Sequence, residues 1–547
     1  MIYIDPPYNT GNDFIYEDDF SQSMEEYAQN SGQRDEEGNR LVQNSESNGR
    51  FHTDWLNMMY PRLKIAKDLL SDDGVIFISI DENENSTLKT VCDEIYGPSN
   101  FIAQLIWSAG RKNDSKYVSI SHEYILCYFK NKKYITDHKI IWREKKEGLN
   151  EIYAKYDSLK LKYGSDHLAI ETELRDWYKN LPDNDPAKEQ SHYNKVDDKG
   201  IYFSDNISWP GGGGPKYDLI HPITGKPVKV PSRGWITNKN TMLEWIKAGR
   251  VDFGKNENYV PTLKSYLKDR EFAVPYSVFY KDGRASSKRL ANLMGDKVFE
   301  NPKDEEIIQR LIEFSGTAKE DIILDFFSGS ATTAHAVFLS NVHQKSQRKF
   351  ILVQIPEKIS TAHSSAERSK KVAQNALKLL KKLNLPENIC SIGEERIRRA
   401  GKKIKTETGA DIDYGFRCFY VDSSNMEEVY YKPGEVKQDQ LDLFAENVKP
   451  DRTPEDLLFQ VMLELGILLS SKIEELDIDG KKVFSVENGY LLACFDTAVT
   501  DEVVTAIAKK RPCYAVFRDS GMADDSVMAN FEQIFATYSP DTVRKVL

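Results

Sequence analysis

An Asp-Pro-Pro-Tyr tetrapeptide, Asp5-Pro6-Pro7-Tyr8, follows a short apolar strand at the start of the sequence. These residue types suit one task, which is to hold an aromatic amine while its nitrogen attacks an electrophile. Asp5 can accept a hydrogen bond from an exocyclic amino group, and the Pro6 carbonyl can accept a second. Tyr8 offers a flat face on which a base extruded from a duplex could stack. The alternative is an ordinary turn, for which Pro-Pro followed by Asn-Thr-Gly is also suitable.

A second turn with chemical potential is Asp325-Phe326-Phe327-Ser328-Gly329-Ser330. An apolar strand that ends in Asp and leads through Gly into an Ala-rich helix is typical of the first βα unit of a nucleotide-type α/β fold. NAD is disfavoured because the turn has one glycine where a dinucleotide site has three. The chain also contains no GxxxxGK[ST] sequence, so no ATP-binding phosphate loop is evident. A ligand with an amino-acid portion and no phosphate fits better. Taken alone, the turn could also be a packed βα connection.

Apolar periodicity predicts the elements that position these turns. Strands are predicted at 2–4, 75–80, 101–107, 124–129, 321–325 and 349–357. Gln354, at the carboxyl end of the last strand, is placed to meet a ribose or an adenine edge. An amphipathic helix after Asp54 has one apolar face, made of Trp55, Met58, Met59, Leu63, Ala66 and Leu70. Residues 21–50 are polar, and such a long loop is uncommon unless functional; it either closes over a substrate or is a disordered insertion.

The alternation of strands and helices is lost from about 131 to 290. Lys, Arg, Tyr and Trp interleave there, and the glycine-rich run Ser208–Pro215 precedes a second loop-forming stretch at 221–235. Basic and aromatic side chains on Gly/Pro-rich loops suit groove reading and phosphate contact. Charged surface loops without a ligand are the alternative interpretation.

Size and composition bound the class of protein. A chain of 547 residues predicts about three or four domains, and a hydrophobic fraction of 40% argues against disorder. The sequence has no apolar run of about eighteen residues and no secretory signal pattern, which indicates a cytoplasmic protein that does not cross a membrane. The six cysteines form no CxxC pair, so neither a metal site nor a disulfide framework is predicted.

The net charge of −11 is unevenly distributed. Residues 411–547 contain 14 Lys+Arg against 26 Asp+Glu, whereas the first 410 residues contain 60 against 59. Phosphate binding by the body of the chain is therefore not excluded, and the acidic tail is better suited to contact another protein.

The order of the two turns, with a recognition-like segment between them, resembles the beta-ordered DNA amino-methyltransferases. Several longer segments make the chain resemble, essentially end to end, the modification (Mod) subunit of type III restriction–modification systems: His52–Leu63, Ile78–Glu84, Ser121–Leu126, Gly415–Asn425 and Glu455–Gln460. Members of that family carry roughly a hundred residues before Asp-Pro-Pro-Tyr. The chain is therefore expected to lack part of that N-terminal region.

The resemblance implies an α/β protein with a Rossmann-like, S-adenosylmethionine-dependent methyltransferase sheet, an inserted target-recognition domain and a C-terminal α/β domain. The implied boundaries are a catalytic half at 1–130, a target-recognition domain at 131–290, a cofactor-binding half at 291–408 and an acidic interaction domain at 409–547. The implied reaction is site-specific methylation of the N6 amino group of a flipped adenine. Asp5, Pro6, Pro7 and Tyr8 would form the catalytic turn.

The implied cofactor is S-adenosyl-L-methionine. The residues expected to hold it are Asp325, Phe326, Phe327, Ser328, Gly329, Ser330, Asn301, Pro302, Lys303 and Gln354. Cytosine-N4 methylation is an alternative, which Asp5 disfavours because Ser more often stands at that position in such enzymes. A catalytically silent, truncated DNA-binding or assembly subunit is the other alternative.

The partners implied by the resemblance are double-stranded DNA, a restriction (Res) helicase/nuclease subunit and a second copy of the chain in a homodimer. The acidic tail, with a predicted amphipathic helix at 457–465 and a hairpin signal at Glu487-Asn488-Gly489, is the expected docking site for Res. A basic helix at 394–403 could follow a phosphate backbone, and a solvated helix face is its alternative.

Overall fold

The computed structural model describes residues 1–10, 14–16, 41–43, 51–108, 116–183, 185–361, 367–427 and 448–547. The chain forms two compact units, Met1–Tyr414 and Gly415–Leu547. No helix in the described ranges is long and apolar enough to cross a membrane. These ranges also contain no cluster of His, Cys, Asp and Glu that could bind a metal ion, and the six cysteines are free.

The first unit contains fifteen strands and twelve helices in its described part. The strands are β1 (Ile2–Ile4), β2 (Phe14–Tyr16), β3 (Leu41–Gln43), β4 (Val75–Ile80), β5 (Phe101–Ser108), β6 (His122–Phe129), β7 (Glu144–Lys145), β8 (Lys195–Asp197), β9 (Gly200–Asn206), β10 (Val251–Asp252), β11 (Thr262–Tyr266), β12 (Phe272–Ala273), β13 (Val278–Tyr280), β14 (Ile322–Asp325) and β15 (Lys349–Leu352). The helices are α1 (Phe51–Leu69), α2 (Asn85–Tyr96), α3 (Lys132–Asp137), α4 (Leu149–Tyr163), α5 (His167–Asn180), α6 (Pro186–Glu189), α7 (Lys239–Lys247), α8 (Gly283–Met294), α9 (Glu305–Phe314), α10 (Thr332–Gln344), α11 (Glu367–Leu383) and α12 (Ile389–Thr408).

Seven strands form the central sheet, in the order β13-β5-β6-β4-β1-β14-β15. Strand β6 runs antiparallel to both of its neighbours, and the other adjacent pairs are parallel. In open parallel sheets, ligands bind outside the carboxyl ends of the strands. A ligand site is therefore expected at the turns that follow β1 and β14.

Strand β1 lies inside the sheet, with a partner on each side. Ile2 is opposite Ile76 of β4 and Leu324 of β14, and the Leu324 amide donates to the Met1 carbonyl at 3.0 Å. Both neighbours of β1, β4 and β14, lie later in the chain. As a result, the turns that begin at Asp5 and Asp325 follow adjacent parallel strands.

Side-chain alternation places the core on both faces of the sheet. Ile2, Ile4 and the even-numbered positions of β4 face α1 and α2, whereas Tyr3 and Phe77 face α9 and α10. The predicted apolar face of α1 is confirmed, because its six members are all buried: Trp55, Met58, Met59, Leu63, Ala66 and Leu70. Helix α1 therefore backs the carboxyl ends of β1 and β4.

The inserted segment forms its own sheet, in the order β10-β11-β9-β8, and α4 and α5 share a buried cluster with β8 and β9. This agrees with the loss of βα alternation after residue 131. Strand β13 at 278–280, which lies within the range predicted for the target-recognition domain, pairs with β5 in the central sheet. The predicted polar loop at 21–50 falls mostly outside the described residues; within it, β3 pairs with β2 as a two-stranded ribbon.

The second unit is an α/β unit with a five-stranded sheet in the order β16-β17-β18-β19-β20. Its elements are α13 (Pro454–Glu464), β16 (Ile473–Ile478), β17 (Lys481–Val486), β18 (Leu491–Cys494), α14 (Asp501–Lys509), β19 (Tyr514–Phe517), α15 (Asp525–Tyr538) and β20 (Val543–Val546). The predicted hairpin at 487–489 is confirmed, since it joins the antiparallel strands β17 and β18. The predicted amphipathic helix is α13, with Leu457 and Met462 among its buried residues.

Candidate active site

The Asp-Pro-Pro-Tyr turn is held by contacts from α1 and from Glu84, the residue that precedes α2. The indole N–H of Trp55, which is fully buried, donates to the carbonyl of Pro7 at 2.8 Å. Asn9 adopts a left-handed backbone conformation (φ 60°), and its amide donates to the buried Glu84 carboxylate at 2.6 Å. His52 lies on the same carboxylate oxygen at 2.5 Å. These contacts use the Pro7 carbonyl and not the Pro6 carbonyl, which the sequence predicts as an acceptor for the target amine.

Lys303, predicted as a cofactor-binding residue, lies in the catalytic cluster. Its ammonium is 3.3 Å from Asp5 Oδ1 and 2.5 Å from Glu123 Oε2, and it also donates to the Tyr8 hydroxyl. The Tyr8 hydroxyl in turn donates to Glu123 at 3.1 Å. The ammonium also lies over aromatic rings, 4.7 Å from the Tyr8 centroid and 5.6 Å from that of Trp107. One cation therefore connects two carboxylates and the aromatic ring that is expected to stack on a base.

The charges in this cluster alter its proton affinities. Burial raises the pKa of Asp5, and Lys303 opposes that shift while Glu123 adds to it. Burial lowers the pKa of Lys303, but the two carboxylates outweigh burial, so that the pKa is raised overall. Burial, followed by the nearby Asp5 and Glu123 charges, raises the pKa of the Tyr8 phenol. The cluster therefore holds a firmly protonated lysine, and this lysine favours the ionised form of Asp5.

Asp325, the first residue of the second turn, builds the turn itself. Its carboxylate accepts from the Phe327 amide at 3.0 Å and from the Thr333 hydroxyl at 2.5 Å, and the residue is buried. Burial raises the pKa of Asp325 to about 7, against the effect of these two hydrogen bonds. The nearby Asp5 charge raises it further. Both oxygens of this predicted cofactor-binding residue are thus engaged within the turn.

The remainder of the turn packs closely and uses its own backbone donors. Gly329 has a left-handed conformation (φ 48°), and a Cβ atom there would lie 3.3 Å from the Phe299 ring. The Gly329 amide donates to Gln354 Oε1 at 2.7 Å, so the Gln354 side chain closes the turn. The amides of Ser328 and Ala331 donate to backbone carbonyls. With the Phe327 amide, four N–H groups are satisfied internally, which leaves them unavailable as an anion cradle of the kind that binds phosphate.

A buried ionic network connects this turn to α9 and α12. Arg396, 1% exposed, donates to the hydroxyls of Ser330 and Thr332 at 2.9 and 2.6 Å. It lies 3.4 Å from Glu305, which also accepts from Arg289 at 2.5 Å. Burial lowers the pKa of Arg396 to about 10, and Glu305 opposes that shift. Glu305 follows Lys303 by two residues, so the network and the cluster around Asp5 are joined through the segment that leads into α9.

The predicted phosphate-tracking role of the helix at 394–403 is wrong for its arginines. Arg396 is buried in the network just described. Arg398 pairs with Glu394 at 2.8 Å, and Arg399 pairs with Glu395 at 2.7 Å and donates to the carbonyl of Met294. These guanidinium groups are engaged in contacts within the unit.

The remaining predicted cofactor residues surround the same region. Pro302 is buried, with its carbonyl accepting from Ser286 at 3.0 Å, and Asn301 is exposed with a left-handed conformation (φ 43°). An apolar groove of about 290 Å³ lies beside the turn; its lining includes Phe326, Phe327 and Gln354. Sequence reasoning missed the site roles of Glu123, Glu84 and Arg396. Glu123 and Glu84 lie within the segments Ser121–Leu126 and Ile78–Glu84, whose resemblance was the available signal.

The chain is similar to known proteins along most of its length. Residues 1–364 match a family described as DNA methylase. The chain is 32% identical over 542 residues to the Mod subunit of the type III restriction–modification enzyme EcoP15I from Escherichia coli, covering 97% of this chain and 77% of that protein. It is 30% identical over 526 residues to the EcoPI Mod subunit from Escherichia phage P1, covering 93% and 74%. The chain belongs to the DNA methylase family and, within it, to the Mod subunits of type III restriction–modification enzymes. The resemblance inferred from the sequence is confirmed.

Among solved structures, the PvuII cytosine-N4-specific DNA methyltransferase is 9% identical, with a TM-score of 0.28 over 70% of this chain and 85% of that chain. The Thermus thermophilus DNA modification methylase TTHA0409 in complex with S-adenosyl-L-methionine is 12% identical, with a TM-score of 0.22 over 70% and 87%. Likeness at this level carries no argument about this chain.

Proposed function

We propose that this chain transfers a methyl group from S-adenosylmethionine to the N6 amino group of adenine in a short, asymmetric duplex site, as the modification and specificity subunit of a type III restriction–modification complex. The observation that carries the proposal is the pairing of β1 with β14. This pairing brings Asp5-Pro6-Pro7-Tyr8 beside Asp325-Phe326-Phe327-Ser328-Gly329-Ser330 at one edge of the sheet. A base-holding turn and a ligand-holding turn thus share one site.

The catalytic residues act by positioning and by charge. The exocyclic amine of adenine is conjugated with its ring and is a poor nucleophile. Hydrogen bonds to Asp5 and to the Pro6 carbonyl would favour a pyramidal nitrogen with a directed lone pair. Stacking on Tyr8 would hold the flipped base, and contributes roughly 1–3 kcal/mol. Lys303 favours the ionised form of Asp5, and this carboxylate can accept a hydrogen bond from the amine.

The residues of the second turn fit S-adenosylmethionine, which supplies an electrophilic methyl group on a sulfonium when bound. S-adenosylmethionine has no phosphate, so it does not need the four N–H groups of the turn that are already satisfied internally. Phe326 and Phe327 line an apolar groove that suits a nucleoside. We propose that Phe326-Phe327-Ser328-Gly329-Ser330, with Asn301 and Pro302, hold the cofactor, while Asp325 and Gln354 keep the turn in shape.

A methyl-transfer assay tests this function. The folded full chain should transfer tritiated methyl groups to methylation-free plasmid DNA, and nucleoside mass spectrometry should find N6-methyladenine. Asp5→Ala should abolish transfer, whereas Asp72→Ala, the same change at an exposed site, should not. N4-methylcytosine as the product would favour the alternative base. A well-folded chain that binds DNA without transfer would favour the silent assembly subunit.

The partner proposal extends this function. We propose that the acidic unit 415–547 docks the Res subunit, that the chain acts as a homodimer on DNA, and that it does so in the cytoplasm. Tyr414 packs on Phe338, with ring centroids 5.6 Å apart, so a truncation after Tyr414 leaves the first unit's contacts in place. This truncated chain should lose Res in co-purification and keep methyl transfer. Retention of Res would contradict the docking proposal.

A further inference from the structure

Helix α11 presents a continuous basic face to solvent. Its seventeen residues include one carboxylate, Glu367, and six basic side chains: Arg368, Lys370, Lys371, Lys378, Lys381 and Lys382. The first unit as a whole is close to neutral, so this helix concentrates positive charge that the rest of the unit balances. A face of this kind attracts polyanions.

The helix is amphipathic, so the cations share one side. Val372, Ala376 and Leu380 are buried and pack in one cluster with Leu290 and Ile392. At 100° per residue, five of the six basic positions fall within the half of the helix opposite that buried face, and Arg368 lies at its border and is exposed. The basic side chains therefore form a stripe along the outer surface.

Most of these cations have no internal partner. Among the described residues, Lys381 is the one member of the stripe with an ion pair, at 3.6 Å from Glu387. By contrast, Arg398 and Arg399 on the neighbouring helix α12 are both paired with glutamates. Carboxylates thus pair with these two arginines of α12, whereas most of the charge on α11 remains available to a partner.

The stripe reaches the edge of the sheet that carries the site. The loop after α11 returns to the segment that follows β15, where the Ile359 amide donates to the Glu387 carbonyl and the Ile389 amide donates to the Glu357 carbonyl. Helix α12 begins there, and a Cβ atom added at Gly393 would lie 3.4 Å from the Gly329 carbonyl of the cofactor turn. The end of α11 that carries Lys381 and Lys382 therefore lies at the rim of the candidate active site.

We infer that the basic face of α11 binds the phosphate backbone of duplex DNA beside the bases that the chain reads. The inference rests on the proposed function, in which a duplex lies across this rim. From Arg368 to Lys382 the stripe is about 21 Å long at 1.5 Å per residue. Because each strand winds around the duplex, a straight stripe of this length faces a few consecutive phosphates of one strand. Such contacts supply affinity and orientation without selecting a sequence.

The salt dependence of binding tests this inference without any cofactor. Fluorescence anisotropy with a labelled 30-base-pair duplex of arbitrary sequence gives the slope of log K against log salt concentration. The variant Lys371→Gln/Lys378→Gln/Lys382→Gln should bind less tightly and should reduce the slope by about 2–3, because each lost phosphate contact removes about 0.9. A control, Lys472→Gln/Lys510→Gln/Lys545→Gln, makes the same charge change in the second unit and should leave the slope unchanged.

The outcomes separate this inference from the proposed function. An unchanged slope in a wild-type-like fold, with methyl transfer intact, would overturn the role of α11 and leave the methyltransferase in place. Equal slope losses in both triple variants would also overturn it, since general charge would then explain binding. A wild-type chain that binds no duplex at any salt concentration would overturn both proposals. A reduced slope with low-salt transfer retained supports α11 as a backbone contact.

Discussion

The Nζ atom of Lys303 lies 3.3 Å from Oδ1 of Asp5, although the two residues are almost three hundred positions apart in the chain. Lys303 follows Pro302 at the entry to α9, and Asp5 follows β1. Glu123 on β6 completes the contact from a third element, at 2.5 Å from the same ammonium. A residue outside the Asp-Pro-Pro-Tyr motif therefore opposes the rise that burial causes in the pKa of Asp5.

The first prediction concerns the pH dependence of methyl transfer. Asp5 faces Lys303, Glu123, the phenols of Tyr3 and Tyr8, and Asp325. Activity should rise with pH as Asp5 ionises, because the carboxylate is the acceptor. Lys303→Met should raise the pKa of Asp5 further and so move the acidic limb of the kcat/KM profile to higher pH. The loss of kcat/KM in this variant should be about tenfold larger on the acidic limb than near pH 8.

Two further variants separate charge from packing at this position. Lys303→Arg keeps the positive charge and should keep the acidic limb close to that of the wild type. Glu123→Gln added to Lys303→Met removes the remaining like charge and should move the limb back toward lower pH. A limb that does not move in Lys303→Met would contradict a charge-setting role.

The second prediction separates the ring of Tyr8 from its hydroxyl. Tyr8→Ala removes the stacking surface and should lower kcat/KM for DNA by roughly 5- to 150-fold, the equivalent of about 1–3 kcal/mol. Tyr8→Phe keeps the ring and removes the 3.1 Å hydrogen bond to Glu123, so kcat/KM for DNA should fall by no more than about tenfold. Steady-state kinetics on methylation-free DNA provide the comparison. Equal losses in the two variants would show that the hydroxyl, and not stacking, is what matters.

The third prediction concerns the stability of the cofactor turn. Arg396→Met leaves the hydroxyls of Ser330 and Thr332 and the carboxylate of Glu305 without their buried partner, and should destabilise the first unit by about 3 kcal/mol. Arg398→Met, which breaks a partly exposed pair on the same helix, should cost no more than about 1 kcal/mol. Urea denaturation followed by tryptophan fluorescence measures both. Similar losses in the free energy of unfolding in the two variants would contradict a stabilising role for the buried network.

The fourth prediction follows from the pKa of Asp325, which burial raises to about 7. A carboxyl whose pKa is higher in the folded state stabilises the fold below its unfolded pKa, and this stabilisation is lost as pH rises through about 7. The free energy of unfolding of the wild type, relative to Asp325→Asn, should therefore fall by about 3–4 kcal/mol between about pH 4 and pH 8. The same substitution at the exposed Asp72 should show no such trend in urea denaturation. A flat difference for Asp325→Asn would mean that its carboxyl is not shifted.

Local pattern was sufficient to predict much of the fold. The apolar face of α1, the buried strand β4 and the hairpin at 487–489 all follow from spacing that local physics enforces. Pairing across the chain was not readable in this way. Strand β1 consists of three apolar residues, and these do not identify β4 and β14 as its neighbours.

Site residues that lie in a recognisable turn motif were predictable from the sequence. Site residues placed by contacts between distant parts of the chain were not. Asp5 and Gly329 could be named because their types and turns have few other uses. The contacts of Lys303 with Asp5 and Glu123 were not predictable, since its position before α9 does not reveal where its long side chain ends. Arg396 was read as a surface cation, because a helix with alternating charges does not show which side is buried.

The central position of β1 has a consequence for the timing of synthesis. Its partner β14 is separated from it by more than three hundred residues, and ribosomes add about 5–20 residues per second. The nascent chain therefore carries Asp5 and Tyr8 for roughly 15–60 s before the strand that completes their sheet has been made. Pairing over this separation is also slow in itself, because closing a long loop precedes any gain from the contact. The candidate active site thus forms only after more than half of the chain has been made, and a chain interrupted before β14 carries an intact Asp-Pro-Pro-Tyr motif that has no Asp325–Ser330 turn beside it.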